Sequence, residues 1–130
     1  MTNTEFATGV DDSTGIASIS SNLQITGGKL SILSGDNGAV TAVLVTLDNN
    51  ATSFEVRAKP NDDCAISYFQ VSNNGGVSYN NSGQRYSLTD ALNTSTAFTT
   101  TGKRIVVKIT LISSATYTAP QLDSFTLNVK

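Results

Sequence analysis

The chain has no histidine and no tryptophan, one cysteine and two prolines. Without histidine it holds no Ser-His-Asp or Cys-His triad and no imidazole-ligated zinc. A single cysteine, Cys64, forbids an intramolecular disulfide and a disulfide scaffold. Cys64 follows Asp62-Asp63. Neighbouring carboxylates raise a thiol pKa, and no cation stands beside it in sequence to lower it. Cys64 therefore reads as a small half-buried hydrophobe at a strand start. Charge is also scarce, at 14% of residues against a usual share of about 25%. The net charge is −2, whereas a nucleic-acid binder carries a basic surplus or stripe. The nearest approach, Lys103, Arg104 and Lys108, reads as a solvated strand edge, where cations discourage unwanted pairing. There is no apolar run long enough to span a membrane, and the first residues have neither a basic nor an apolar stretch of the kind a secretory signal needs. The expectation is a protein made in the cytosol that leaves it only as part of a particle. On that expectation Asn50-Ala-Thr, Asn80-Asn-Ser and Asn93-Thr-Ser are chance sequons.

What replaces the missing charge is small and neutral. Thr, Ser, Asn and Gly make up 56 of the 130 residues, a composition that suits strands and turns rather than helix interiors. The length is that of one domain. Residues 1–15 are polar and glycine-containing and read as an arm or a loosely held first strand; residues 16–130 read as one antiparallel β-sandwich of about nine strands. Strand count alone leaves a jelly-roll-like and an immunoglobulin-like order both open. Leu23, Ile25, Leu30 and Ile32 alternate around Gly27-Gly28, the signature of a two-residue hairpin. Residues 39–47 are apolar on both faces, Val43, Val45 and Leu47 on one and Val40, Ala42 and Leu44 on the other. They suit a strand covered on both sides or one half-exposed to a partner. Residues 53–59 alternate cleanly, with Phe54, Val56 and Ala58 inward and Glu55, Arg57 and Lys59 in a solvated outward ladder. Strands follow at 64–71, 84–88 and 96–100. In 104–112 the inward residues are Ile105, Val107, Ile109 and Leu111; in 121–129 they are Phe125, Leu127 and Val129.

No catalytic constellation emerges. Glu5 and Glu55 are the only glutamates and do not make the paired carboxylates of a glycosidase. Asp11-Asp12, Asp62-Asp63 and Asp36-Asn37-Gly38 are turn residues without the staggered ligands of a calcium site. The Gly-Gly pairs precede no helix, so no phosphate cradle is implied. No metal, cofactor or enzymatic activity is expected. Tyr68, Tyr79, Tyr86 and Tyr117 are candidates for a sugar-stacking face, with wet strand edges as the plainer reading.

Three segments carry a resemblance: Ile66-Ser-Tyr-Phe-Gln-Val-Ser-Asn-Asn-Gly-Gly-Val-Ser-Tyr79, Arg104-Ile-Val-Val-Lys-Ile-Thr-Leu111 and Thr118-Ala-Pro-Gln-Leu-Asp-Ser-Phe-Thr-Leu127. Their order resembles β-sandwich modules in the structural proteins of tailed bacteriophages and prophages, over roughly residues 39–130. Asn74 and Tyr79 stand where that pattern commonly has Asp and Trp. The resemblance implies a non-enzymatic virion protein, in the first place a head-decoration protein. It would bind the major capsid protein or other virion proteins, often as a trimer, and stabilise the lattice by added interface. The arm and strand 39–47 are the candidate contacts. The alternatives are a tail or fibre module, or a carbohydrate-binding sandwich that recognises a cell-surface glycan.

Overall fold

The computed structural model describes residues 16–19, 21, 23–26, 29–32, 37–90 and 95–130. The arm at 1–15, with Glu5, Phe6 and Asp11-Asp12, lies outside them, as do Asp36 and Asn93. Among the described residues ten strands run β1 (Ile16–Ile19), β2 (Leu23–Thr26), β3 (Lys29–Ile32), β4 (Asn37–Thr46), β5 (Ser53–Pro60), β6 (Tyr68–Ser72), β7 (Tyr86–Ser87), β8 (Thr96–Ala97), β9 (Arg104–Ile112) and β10 (Gln121–Val129). They form two five-stranded antiparallel sheets, β1-β4-β9-β6-β7 and β2-β3-β10-β5-β8. The strand beyond the nine expected is β1, which pairs with β4.

The pairings settle the order that sequence left open. β3 pairs with β10, β4 with β9, β5 with β8 and β6 with β7. These are the rungs of one long hairpin whose tip is the β6–β7 connection. Rolling it into a sandwich adds the contacts of β10 with β5 and of β9 with β6. That is the jelly roll, with β1 and β2 added at the edges.

The β2–β3 hairpin has the expected register, Thr26 opposite Lys29. Phe54 and Val56 are buried with Ala58 packed against them, and Ile105, Val107, Ile109 and Leu111 are all buried, as alternation predicts. Between the sheets five rings form a chain. Phe98 meets Phe54 at 4.9 Å, Phe54 meets Tyr86 edge-on at 5.8 Å, Tyr86 stacks on Phe69 at 5.5 Å and Phe69 meets Phe125 at 5.4 Å. Such pairs add about 0.5–1.5 kcal/mol each beyond the area they bury.

Four expectations are corrected. Residues 64–71 are not one strand: Asp62–Cys64 is a 3-10 turn, and the strand begins at Tyr68. The turn closes because Asn61 O accepts the Cys64 N–H at 3.1 Å and Cys64 O accepts the Ser67 N–H at 3.0 Å. The strands expected at 84–88 and 96–100 shorten to Tyr86–Ser87 and Thr96–Ala97, with a 3-10 turn at Leu88–Asp90 after the first. In β4 the two-residue alternation breaks: Val43 pairs with Val106 but Val45 with Ile105. Those partners are consecutive, so a bulge interrupts the two-residue backbone register between Val43 and Val45. Leu47 is buried, while the side chains of 39–45 lie outside what is described. Finally, Arg104 and Lys108 do not stand on a sheet edge, because β9 is central, flanked by β4 and β6.

A bulge in β10 between Leu122 and Phe125 lets both residues face the core despite their odd spacing. β9 buries Val106 and Thr110 as well as its inward set. Val106 is covered from outside by the loop after β6, whose Gly76 lies against Val106 and Tyr79.

Candidate functional site

At the tip of the rolled hairpin, asparagine and threonine side chains do the work that apolar packing does elsewhere. Two consecutive glycines, Gly75 and Gly76, adopt φ of 76° and 84° and turn the chain after β6. Ser72 Oγ donates to Asn74 Oδ1 (2.7 Å) and accepts the N–H groups of Asn74 (3.2 Å) and Gly76 (3.0 Å). Asn74 in turn holds Ser78, through its Oδ1 from the Ser78 N–H and its Nδ2 to Ser78 Oγ. An amide can both accept and donate, and Asn74 does both in this turn.

Asn73 is fully buried. Its Nδ2 donates to Ala51 O (3.3 Å) and Thr100 O (2.7 Å), and its Oδ1 accepts from Thr100 Oγ1 (2.6 Å). Its carbonyl accepts the Arg104 N–H at 3.1 Å. Gly102 passes so close that a Cβ there would stand 2.0 Å from the Asn73 carbonyl oxygen. Ala51 and Leu47 are tied by their N–H groups to Gly102 O and Lys103 O. Asn73 thus joins the β4–β5, β6–β7 and β8–β9 connections.

Asn80 repeats the device. It is 1% exposed. Its Nδ2 donates to Tyr86 Oη (3.0 Å) and Ala97 O (3.1 Å), and its Oδ1 accepts from the Thr99 N–H (2.7 Å) and Thr99 Oγ1 (3.2 Å). Next to it the chain makes a left-handed helical turn: φ is 52° at Asn81, 59° at Ser82 and 79° at Gly83. Left-handed geometry costs a side-chain-bearing residue about 1–2 kcal/mol. Tertiary bonds hold it: the Asn81 N–H donates to Thr99 Oγ1 at 2.8 Å, and Gln70 Nε2 donates to Gly83 O at 3.0 Å. Val77 stands at the tip of this locked loop, 87% exposed. Asn80, as the head of a sequon, is sealed inside.

The four tyrosines do not form one face. Tyr86 is in the aromatic chain between the sheets. Tyr68 lies on β6 under Arg85, whose guanidinium carbon is 4.5 Å from the ring centre. Tyr79 is half-buried beside Gly76, and burial pushes its phenol pKa up. Tyr117 lies on the β9–β10 connection, its carbonyl accepting the Ser114 N–H.

Cys64 is fully buried rather than half-buried. Burial pushes its thiol pKa up, and the Asp63 and Asp123 carboxylates push the same way, against the lowering effect of hydrogen bonds at Gln121 and Asn61. Asp62-Asp63 serves the turn as expected, with Asp63 Oδ2 accepting the Ala119 N–H at 2.9 Å. Asn61 clasps the same segment through Ala119 O and the Gln121 N–H. Among the described residues no three Cys, Asp or Glu side chains gather as a metal site, and no helix is long and apolar enough to cross a membrane.

On the outer face of the second sheet, Ser53, Glu55, Arg57, Ser95, Asn128 and Lys130 line a groove of about 260 Å³. Glu55 and Asn128 are direct cross-strand partners. The outward direction of Glu55 and Arg57 was legible in the alternation of β5. Their meeting with Asn128 and Lys130 depends on strand order and was not. Asn128 Oδ1 is buried there without a hydrogen-bond partner.

No protein-family model matches the chain, and no curated protein matches it.

Proposed function

We propose that the chain is a non-enzymatic structural protein of a tailed-bacteriophage particle, acting on the head as a decoration protein. The observation that carries the reading is the hydrogen-bonded lock at the hairpin tip. Its core, residues 72–79, lies within a segment that resembles phage virion modules, and its bonds join three connections into one preformed surface. A surface ordered on folding loses little further entropy on docking, which suits a protein whose work is to add interface to a lattice. Each bound copy then favours the assembled state by mass action. Jelly rolls are also the architecture of many capsid and lectin domains, a likeness of fold that by itself assigns no role. The absence of histidine is in keeping with a binding role rather than acid–base catalysis. The expected partner is the major capsid protein, and the chain is expected to act as an oligomer, with a trimer the first state to test.

The test is to separate heads from tails of the particles made by the source and to quantify this chain by mass spectrometry against the major capsid protein. High copy number in heads supports decoration. Low copy number in tails replaces it with a tail or fibre role, and absence from both ends the virion reading. Deleting residues 2–15 then asks whether the arm contributes to attachment.

A further inference from the structure

We infer that the outer face of the first sheet docks an acidic protein surface. The inference deepens the decoration reading and rests on it for the partner, which is then the assembled head. What carries it is the way charge is divided along the chain. None of the ten Asp and Glu residues lies in a strand of the sheet β1-β4-β9-β6-β7. Four of the eight Lys and Arg residues belong to it: Arg104 and Lys108 in the central strand β9, Lys103 just ahead of β9 and Arg85 just ahead of β7. The second sheet mixes the signs, with Lys29, Glu55, Arg57, Lys59 and Asp123 in its strands.

Alternation sets the direction of these cations. Ile105, Val107 and Ile109 are buried between the sheets, so Arg104 and Lys108 take the outer face. Their ladder partners are neutral: Lys108 lies opposite Thr41 and Gln70, and Arg104 opposite Thr46. The Arg104 stem runs beside the loop after β6, where a Cβ on Gly75 would stand 3.2 Å from its Cδ. Arg85 lies over the Tyr68 ring, 4.5 Å from its centre. Arg85 and Arg104 are exposed and Lys108 is half-buried. Four residues of strand put the Arg104 and Lys108 backbones about 13 Å apart, and two strand spacings put Lys108 about 10 Å from Arg85. That spacing selects the class of partner. Duplex nucleic acid carries one charge per about 1.7 Å of axis and is held by a dense basic stripe, which cations this far apart do not make. A protein interface takes its affinity from a packed centre and uses a few charges to steer and orient the partner. The triangle fits within the roughly 800 Å² that each partner contributes to an interface of standard size.

The experiment adds labelled full-length chain to heads stripped of it and measures bound copies by sedimentation over a salt series, with duplex DNA titrated in parallel. The parent chain is expected to bind heads with a Kd that rises about tenfold or more between about 0.05 and about 0.5 M salt. Lys108→Glu and Arg85→Glu are each expected to weaken that binding about tenfold. Lys59→Glu, the same charge change at an exposed position of the second sheet, is expected to leave it unchanged. Circular dichroism checks that each variant is folded, and if Lys108→Glu is not, Arg85→Glu carries the readout from its exposed position ahead of β7. Heads that bind both first-sheet variants as tightly as the parent, or that lose Lys59→Glu equally, overturn the docking face and leave the decoration reading standing. Heads that take up no parent chain refute the decoration reading and the inference with it. Saturable DNA binding that the first-sheet variants lose, while their binding to heads is unchanged, puts a nucleic acid in place of the protein.

Discussion

Replacing Asn73 by alanine strands three groups at once: the carbonyl oxygens of Ala51 and Thr100, and the Thr100 hydroxyl. A lost hydrogen bond costs about 1 kcal/mol net, rising to about 1–3 kcal/mol when the group left behind is cut off from water. Thr100 is half-buried, so its two groups have a route to solvent; Ala51 is buried and its carbonyl has none. Two losses near the lower figure and one near the middle of the range sum to about 4 kcal/mol. That is a large part of the roughly 5–15 kcal/mol that holds a domain folded. Asn73→Asp tests the cause more sharply. It keeps the size and the acceptor for Thr100 Oγ1, but faces carboxylate oxygen toward two carbonyls where the amide offered N–H. The introduced carboxyl is satisfied there only when protonated, so its folded pKa lies above the ordinary value of about 3.9. Between those two values the folded chain keeps a proton that the unfolded chain has released. The variant is therefore most stable, relative to the parent, below about pH 4. It loses up to about 1.4 kcal/mol per pH unit until the folded pKa is passed. Urea unfolding followed by far-UV circular dichroism, at about pH 4 and about pH 7, measures both effects. The lock is refuted if Asn73→Ala lies within about 1 kcal/mol of the parent, or if the deficit of Asn73→Asp does not grow with pH.

Three further outcomes are expected. Gly102→Ala drives a Cβ to 2.0 Å from the Asn73 carbonyl oxygen and forces backbone to move, at a cost of about 3 kcal/mol or more; an unchanged melting curve would show that the close approach is not needed. Ser82→Gly relieves a left-handed φ of 59°, gaining about 1 kcal/mol and about 3–6 °C in Tm, while a lower Tm would mean that the serine side chain contributes more than its backbone costs. Because burial raises the Cys64 pKa, the unfolded chain releases the thiol proton at a lower pH than the folded chain does. Stability then falls as pH rises above the ordinary thiol range, and alkylation at mildly alkaline pH tracks unfolding; labelling as fast as that of a free thiol under native conditions contradicts this.

What could be read from sequence was local. The β2–β3 hairpin follows from alternation around Gly27-Gly28, and β5 and the inward face of β9 follow from period two, because one buried face imposes that period on the residues themselves. The bulge between Val43 and Val45 was not legible, because a register shift leaves no mark in the hydrophobic pattern. Burial of Val106 was not legible, since it is decided by a loop folding over the outer face of the sheet. The same holds for the site. Asn73, Asn74 and Asn80 sit in an Asn-rich turn region where most such residues serve their own backbone. Only long-range partners such as Thr99 and Thr100 distinguish Asn80 and Asn73. The available signal was the density of Asn and Gly over residues 73–83, which marks a turn but not a junction.

The rolled hairpin also sets a timetable for synthesis. The middle of one sheet is β9 and the middle of the other is β10, which follow the other described strands in chain order. Until they are made, β4 and β6 lack the β9 that joins them, and β3 and β5 lack β10. Among the rungs of the rolled hairpin the nearest partners in sequence are at the tip, where Phe69 meets Tyr86, and the farthest are Leu30 and Leu122. Closure from the asparagine-locked turn outward follows this order, and the first sheet is not continuous until β9 (Arg104–Ile112) is made, nor the second until β10 (Gln121–Val129) is. Non-local closure of this kind is slow and leaves strand edges open in the meantime, so the interval between synthesis and completion is when this chain is most exposed to pairing with its own copies.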